Sequence, residues 1–301
     1  MPGSIGFIGV GNMGRPMALN LLKHGFTLVI YDANAAAVDA LAAHGATPAR
    51  SPAEVASAVE RTVSMVATTT QAEAVLTGEH GVIHGAGQGH IVLSMSTIDP
   101  FAAKRLHDQL ATTGITMLDA PVSGGTVRAI SGELSIMVGG ERTAFDACQD
   151  VFNAVGANVF YIGESGQGLA MKLVNNMLVQ VNLVAVCEAL VMGVKAGLDP
   201  QRIYEVVRVS TGTSSTFESR VPKIIDGDFT PGGTVDISYK DQELETAFAK
   251  QLGVPILLAN VSQQVYQMAR AAGLNTQDHC AIIQVLEQLA GVKVMKAQGA
   301  R

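Results

Sequence analysis

From Ser4 onward the chain alternates short apolar runs with longer, helix-like stretches. SIGFIGV (Ser4 to Val10) reads as a buried strand, and Asn12 to His24 as a helix ended by Gly25. TLVIYD (Thr27 to Asp32) is a second strand, and the alanine-rich Ala35 to His44 a helix ended by Gly45. Arg61 to Ala67, His90 to Met95, Thr116 to Val122 and Asn158 to Gly163 supply further β-type runs. These runs are apolar throughout rather than alternating, as strands covered on both faces must be. Strands separated by helices in this way predict an α/β region with a doubly wound parallel sheet.

After Gly163 the β-type runs stop. Gly168 to Ala196 reads as one long helix, rich in Leu, Val, Ala and Met and ended by Gly197. Asp199 and Pro200 supply a cap and a first-turn proline for the next helix. Helical patterns follow at Asp236 to Leu252, Pro255 to Ala272 and Asp278 to Ala290. The pattern therefore predicts two domains, residues 1–163 built on the sheet and residues 164–301 all-α and opening with the long helix. The tail after Val294 is expected to fray.

Composition agrees with this outline. A chain of 301 residues that is 48% hydrophobic and 15% charged can bury two cores, which excludes a disordered or collagen-like chain. Its net charge of −6 offers no basic footprint for nucleic acid or an anionic membrane. Cys148, Cys187 and Cys280 are too far apart for a disulfide framework and suit a reducing cytoplasm. The first charge is Arg15, so the N-terminus does not read as a secretory signal. The uncharged run Leu173 to Cys187 is too short to span a bilayer. A soluble, cytoplasmic protein is expected.

The strongest local signal is Gly9-Val10-Gly11-Asn12-Met13-Gly14, which follows a strand and opens a helix, with Asp32 ending the next strand. That context is what a Rossmann dinucleotide fingerprint requires. Gly9 permits the tight turn, Gly11 lets a pyrophosphate approach the backbone, and Gly14 lets the helix pack close to the sheet. Asp32 is placed to accept hydrogen bonds from ribose hydroxyls and to repel a 2′-phosphate. No Arg follows at Ala33 or Asn34, so NAD is preferred to NADP. Two hydroxyl-rich loops, Ala67 to Thr70 and Ser94 to Ile98, lie at carboxyl ends of strands, where such sheets bind ligands. Thr68 and Thr97 are candidates for cofactor contact there. Helix capping, by Thr70 and by Asp99 or Thr97, is the alternative role for these loops.

Three further segments complete a pattern: Asp119-Ala-Pro-Val-Ser-Gly-Gly125, Gly166-Gln-Gly-Leu-Ala-Met-Lys172-Leu-Val-Asn175-Asn176, and Lys240-Asp241-Gln-Glu-Leu244. Together with the N-terminal glycine motif they resemble the β-hydroxyacid dehydrogenase family, from about Ser4 to about Gly291. The resemblance implies an NAD-dependent dehydrogenase of a small 3-hydroxy acid, working reversibly on the semialdehyde or ketone. It implies Lys172 as general acid/base and Ser123, Gly124 and Gly125 as the substrate-carboxylate site. Asn176 would orient the substrate, and Lys240 would lie near nicotinamide and substrate. Chemistry supports these roles: oxidising an alcohol requires a group to take the hydroxyl proton, and a lysine serves if burial and neighbours lower its pKa. Asn176, four residues after Lys172, projects from the same helix face.

Two positions stand apart from the family pattern. Ser94 occupies a place where the family often has an acid, which bears on how its loop is anchored. Arg128 follows the glycines and is not general in the family; it contacts either a polar or second anionic substrate group, or solvent. His80 and His84 have helical metal spacing with His90 nearby, but the surrounding glycines disfavour a helix, and no metal is expected. A decarboxylating sugar-acid dehydrogenase, of threonate or 6-phosphogluconate type, and a catalytically silent NAD-binding protein are the alternative functions. The long apolar helix implies a homodimer or homotetramer.

Overall fold

The computed structural model describes residues 3–295; residues 296–301, most of the tail expected to fray, lie outside them. The chain divides into two compact units, Met1–Lys172 and Leu173–Arg301.

The first unit is built on nine strands: β1 (Ser4–Ile8), β2 (Thr27–Tyr31), β3 (Thr47–Pro48), β4 (Arg61–Ser64), β5 (Ile91–Ser94), β6 (Thr116–Asp119), β7 (Val122–Ser123), β8 (Leu134–Gly139) and β9 (Gly156–Gly163). They run in the order β3-β2-β1-β4-β5-β6-β8-β7, with β9 pairing β8. The pairs from β3 through β6 are all parallel, as a doubly wound sheet requires. The sequence pattern missed β8, which pairs antiparallel with both β6 and β7 and parallel with β9. The single run expected from Thr116 to Val122 is broken after Asp119. Pro121 has no N–H for a ladder, and its carbonyl accepts from the Met137 N–H at 3.1 Å.

Helices α1 (Gly14–Lys23), α2 (Ala35–Ala42), α3 (Pro52–Ser57), α4 (Thr69–Thr77), α5 (Pro100–Ala111), α6 (Gly125–Ser131), α7 (Arg142–Ala147) and α8 (Gln149–Val155) cover the sheet. Alternate strand residues feed two cores. Phe7, Leu93 and Leu118 pack with Met17 and Leu21 of α1 and Phe152 of α8. Ile8, Val92 and Met117 pack with Val55 of α3, Leu76 of α4 and Leu106 of α5. Both faces are dry, which is why the strands read as continuous apolar runs.

The second unit carries no strand among its described residues, only an isolated bridge between Thr234 and Asp278. The long helix α9 (Gln167–Lys195) runs from the first unit into it. By length and composition α9 could cross a membrane, a possibility that counting only the uncharged run had missed. Within the second unit it is a core helix: Leu183, Cys187 and Leu190 are fully buried against Phe217, Ile224, Tyr266 and Ile283. Around it lie α10 (Pro200–Val207), α11 (Ser215–Asp226), α12 (Val235–Leu252), α13 (Leu257–Ala271) and α14 (Ile283–Ala290). Asp199 caps α10 by accepting from the Arg202 N–H. The sequence pattern missed α11, which has Pro222 in its interior and is ended by Gly227 in the left-handed region. All three cysteines are buried and free.

Candidate active site

The loop from β1 to α1 shows why it needs its three glycines. Gly9 has φ +91°, and a side chain there would strike the Met65 carbonyl. A side chain at Gly14 would strike the Gly9 carbonyl, so the first helical turn can lie against the strand end only without one. At Gly11, by contrast, a side chain would meet nothing within 4 Å. The first and last glycines are demanded by the fold itself. The middle one leaves its backbone open to a ligand. A pyrophosphate fits such a turn, beside free N–H groups at a helix start. Asn12 and Met13 complete the turn; Asn12 is exposed and Met13 half-buried.

Asp32 follows β2 and braces this loop. Its Oδ2 accepts from the Val10 N–H at 2.7 Å, and its Oδ1 from the Asn34 N–H at 2.8 Å. Each carboxylate oxygen has a further lone pair, so ribose hydroxyls can still be accepted. Thr68 is exposed and caps α4 by accepting from the Gln71 N–H at 3.1 Å. Asp99 caps α5. The caps thus fall at Thr68 and Asp99, rather than at Thr70 or Thr97. Thr97 is half-buried in the loop after β5. That loop is tied down without an acid at Ser94: Ser96 Oγ accepts from the Val66 N–H at 2.8 Å, and Thr69 Oγ from the Asp99 N–H at 3.1 Å.

A second glycine turn follows β7. Ser123 is half-buried, and Gly124 and Gly125 are exposed with φ of +135° and +64°. Neither glycine has a side chain of its own, and a turn of backbone N–H groups suits a carboxylate. Arg128 is on the short helix that begins at Gly125, and is itself exposed.

Asp119, at the end of β6, is fully buried and clasps the start of α9. Its oxygens accept from the Gly166 N–H at 2.7 Å and the Leu169 N–H at 2.9 Å. Side chains at Gly139 or Gly168 would intrude on Asp119, so the helix seats on the strand ends only because both lack one. Burial pushes the Asp119 carboxyl up to about 6, against the pull of the Gly166 and Leu169 N–H groups. Lys172 follows Leu169 by three residues and is only 7% exposed. It is the sole charge from Gln167 to Cys187.

In the second unit, Asn176 Nδ2 donates to Asp241 Oδ2 at 2.8 Å, and Lys240 Nζ pairs with Asp241 Oδ1 at 3.0 Å. Asp241 is buried and joins the two residues singled out by sequence. Sequence reasoning had given it no role, although it stands beside Lys240 in the motif. Among the described residues no group of three metal-ligating side chains occurs.

The sheet, the glycine turn and the acid after β2 define a dinucleotide-binding protein. Comparison with known proteins narrows this. Residues 4–163 match the model described as the NAD binding domain of 6-phosphogluconate dehydrogenase. Residues 166–286 match that described as NAD-binding of NADP-dependent 3-hydroxyisobutyrate dehydrogenase. The chain is 38% identical to 2-(hydroxymethyl)glutarate dehydrogenase of Eubacterium barkeri, over 98% of each chain. It is 36% identical to the mitochondrial 3-hydroxyisobutyrate dehydrogenase of Homo sapiens, over 94% of this chain and 87% of that one. A solved structure of the Mycobacterium tuberculosis 3-hydroxyisobutyrate dehydrogenase with L-serine superimposes with a TM-score of 0.89 at 29% identity. That match covers 95% of this chain and 99% of the other. The chain belongs to the β-hydroxyacid dehydrogenase family, enzymes that use a nicotinamide cofactor on small hydroxy acids.

Proposed function

We propose that the enzyme oxidises a 3-hydroxy acid of the form HOCH2–CH(R)–COO⁻ to its semialdehyde, reversibly and with NAD. The 3-hydroxyisobutyrate, 2-(hydroxymethyl)glutarate and L-serine named for the relatives all share this core and differ in R. The observation that carries the reading is a buried lysine in an otherwise uncharged stretch, about one helical turn past Leu169, whose N–H the buried Asp119 carboxylate accepts.

Gly9, Gly11, Asn12, Met13 and Gly14 would hold the pyrophosphate, Asp32 the ribose, and Thr68, Thr97 and Lys240 the nicotinamide side. The bound nicotinamide supplies the hydride acceptor. Ser123, Gly124 and Gly125 take the substrate carboxylate. Neutral Lys172 Nζ accepts the hydroxyl proton as the C–H bond breaks, and in the reverse direction its ammonium returns a proton to the carbonyl oxygen. Asn176, held by Asp241, orients the substrate, and Arg128 reaches its substituent. NAD is favoured over NADP because a 2′-phosphate would meet the Asp32 carboxylate.

In this reading residues 1–163 are the NAD-binding domain, and residues 164–301 the substrate and dimerisation domain. A homodimer or homotetramer is supported by Leu257, Leu258 and Val261, exposed together on α13 at 75%, 72% and 60%. A cytoplasmic setting is supported by three free, buried cysteines.

The test is a rate panel with 3-hydroxyisobutyrate, glycerate, threonate and 4-hydroxybutyrate, each with NAD and NADP. Turnover of 3-hydroxyisobutyrate with NAD is expected; no reaction with any of the four overturns the reading.

A further inference from the structure

Arg128 differs from most arginines in this chain. Among the described residues, every other arginine except Arg15 either reaches an acid within 4.0 Å or, as Arg208 does, lies over an aromatic ring. Arg128 and Arg15 do neither. Arg15 directly follows Gly14 in the dinucleotide turn; Arg128 follows the other glycine turn. The nearest acid along the chain, Glu133, accepts instead from Ser131 Oγ at 2.9 Å.

The backbone beneath Arg128 is fixed. Asn20 of α1, itself only 8% exposed, donates to the Ala129 carbonyl at 2.8 Å and the Ile130 carbonyl at 3.4 Å. The aliphatic stem lies against the glycine turn. A Cβ at Gly124 would lie 2.7 Å from both Cβ and Cδ of Arg128 and 3.1 Å from Cγ. The stem therefore occupies the space over Gly124, and that glycine is required partly to make room for it.

We infer that Arg128 reads a second carboxylate on the substrate, so that R ends in an acid and the preferred substrates are short 3-hydroxy dicarboxylates. This deepens the proposed function and rests on its assignment of the Ser123-Gly124-Gly125 turn to the first carboxylate. The turn supplies neutral N–H groups for one anion. Arg128 adds a positive charge beside the turn, paired with no acid among the described residues. A guanidinium fork matches a carboxylate with two parallel hydrogen bonds. A substrate with a methyl substituent would leave this fork to water.

The experiment compares kcat/KM for 3-hydroxyisobutyrate, 2-(hydroxymethyl)succinate and 2-(hydroxymethyl)glutarate in wild type, Arg128→Ala and Arg128→Lys. Binding of glutarate and of propionate to the NADH-loaded protein is measured by calorimetry alongside. The wild type should favour at least one dicarboxylate over 3-hydroxyisobutyrate. In Arg128→Ala that preference should fall by about 10–100-fold, mainly through KM. Arg128→Lys should fall between, since it keeps charge without the fork. An equal loss on mono- and dicarboxylates would overturn the inference and place Arg128 on the shared carboxylate. A wild-type preference for 3-hydroxyisobutyrate over both diacids would also overturn it. If nothing is oxidised but glutarate binding depends on Arg128 and propionate binding does not, the reaction assignment fails and the second-carboxylate site stands.

Discussion

Replacing Asp119 by Asn should change how stability depends on pH, and the structure sets the size of the effect. The carboxylate is fully buried, and burial raises its pKa to about 6 from an ordinary 3.8. The folded protein thus holds this proton more tightly than the unfolded chain does. Its contribution is fully present below pH 3.8 and is lost as pH rises to about 6, then stays level. The interval corresponds to about 3 kcal/mol. Asn cannot titrate, so the variant lacks that slope. Urea denaturation followed by circular dichroism at pH 4, 5, 6 and 7 gives the stability of both proteins, and other titrating groups cancel in the difference. The stability of Asp119→Asn relative to wild type should rise by about 2.4 kcal/mol between pH 4 and pH 7, the rest of the change lying below pH 4. A flat difference would refute the reasoning. A difference of opposite sign would show that the Gly166 and Leu169 N–H groups stabilise the charge more than burial opposes it. Asp119→Ala is the harsher change: it orphans the buried Leu169 N–H and the half-buried Gly166 N–H at the entry to α9 and should cost about 2–5 kcal/mol. Because Lys172 lies one turn further on, it should also lower kcat more than it raises KM for NAD.

Lys172→Ala should lower kcat by about 10²–10⁴-fold with NADH affinity nearly intact, and Lys172→Arg should be almost as damaging because a guanidinium does not deprotonate. Steady-state kinetics with NADH titration checks this, and near-normal turnover in Lys172→Ala excludes the role. Asp32→Ala with Ala33→Arg should move preference toward NADP; an unchanged NAD to NADP ratio of kcat/KM would mean that Asp32 does not choose the cofactor. His279 is 7% exposed, and burial, helped by Arg220, pushes its pKa down to about 4. The folded state resists its protonation, so stability present above pH 6.5 should be lost as pH falls toward 4, by about 3 kcal/mol. A His279→Gln variant with the same acid slope as wild type would contradict this. Leu257→Glu with Leu258→Glu should give a monomer by light scattering if α13 faces a second copy, and an unchanged mass would exclude that face.

Much of this molecule is legible in its amino-acid order because the determining forces are local. The apolar runs of β1, β2, β4, β5 and β6, the dinucleotide turn, the 29-residue α9 and the Asp199-Pro200 start of α10 follow from periodicity, φ preferences and caps. These act within a few residues, so a reader of the sequence sees them directly. The placement of the Gly9-Gly11-Gly14 turn beside Asp32 needed only one βαβ unit, and the sequence spacing implied it.

Tertiary structure alone decided the rest. β8 carries an apolar run like its neighbours, but its antiparallel direction depends on partners. Pro121 breaks the preceding run for the same reason: its missing N–H matters only once a neighbouring strand asks for it. The interior proline of α11 argues locally against a helix, and burial of Phe217, Val221, Ile224 and Ile225 overrides it. Asp119 meets Gly166 across 47 residues of chain, and Asn176 meets Asp241 across 65. Such pairings are selected by core packing after long loops have closed, and no short-range preference encodes them. Arg128 shows the same division: its charge is visible in the sequence, but that its stem covers Gly124 and that no acid among the described residues pairs with it are facts of packing.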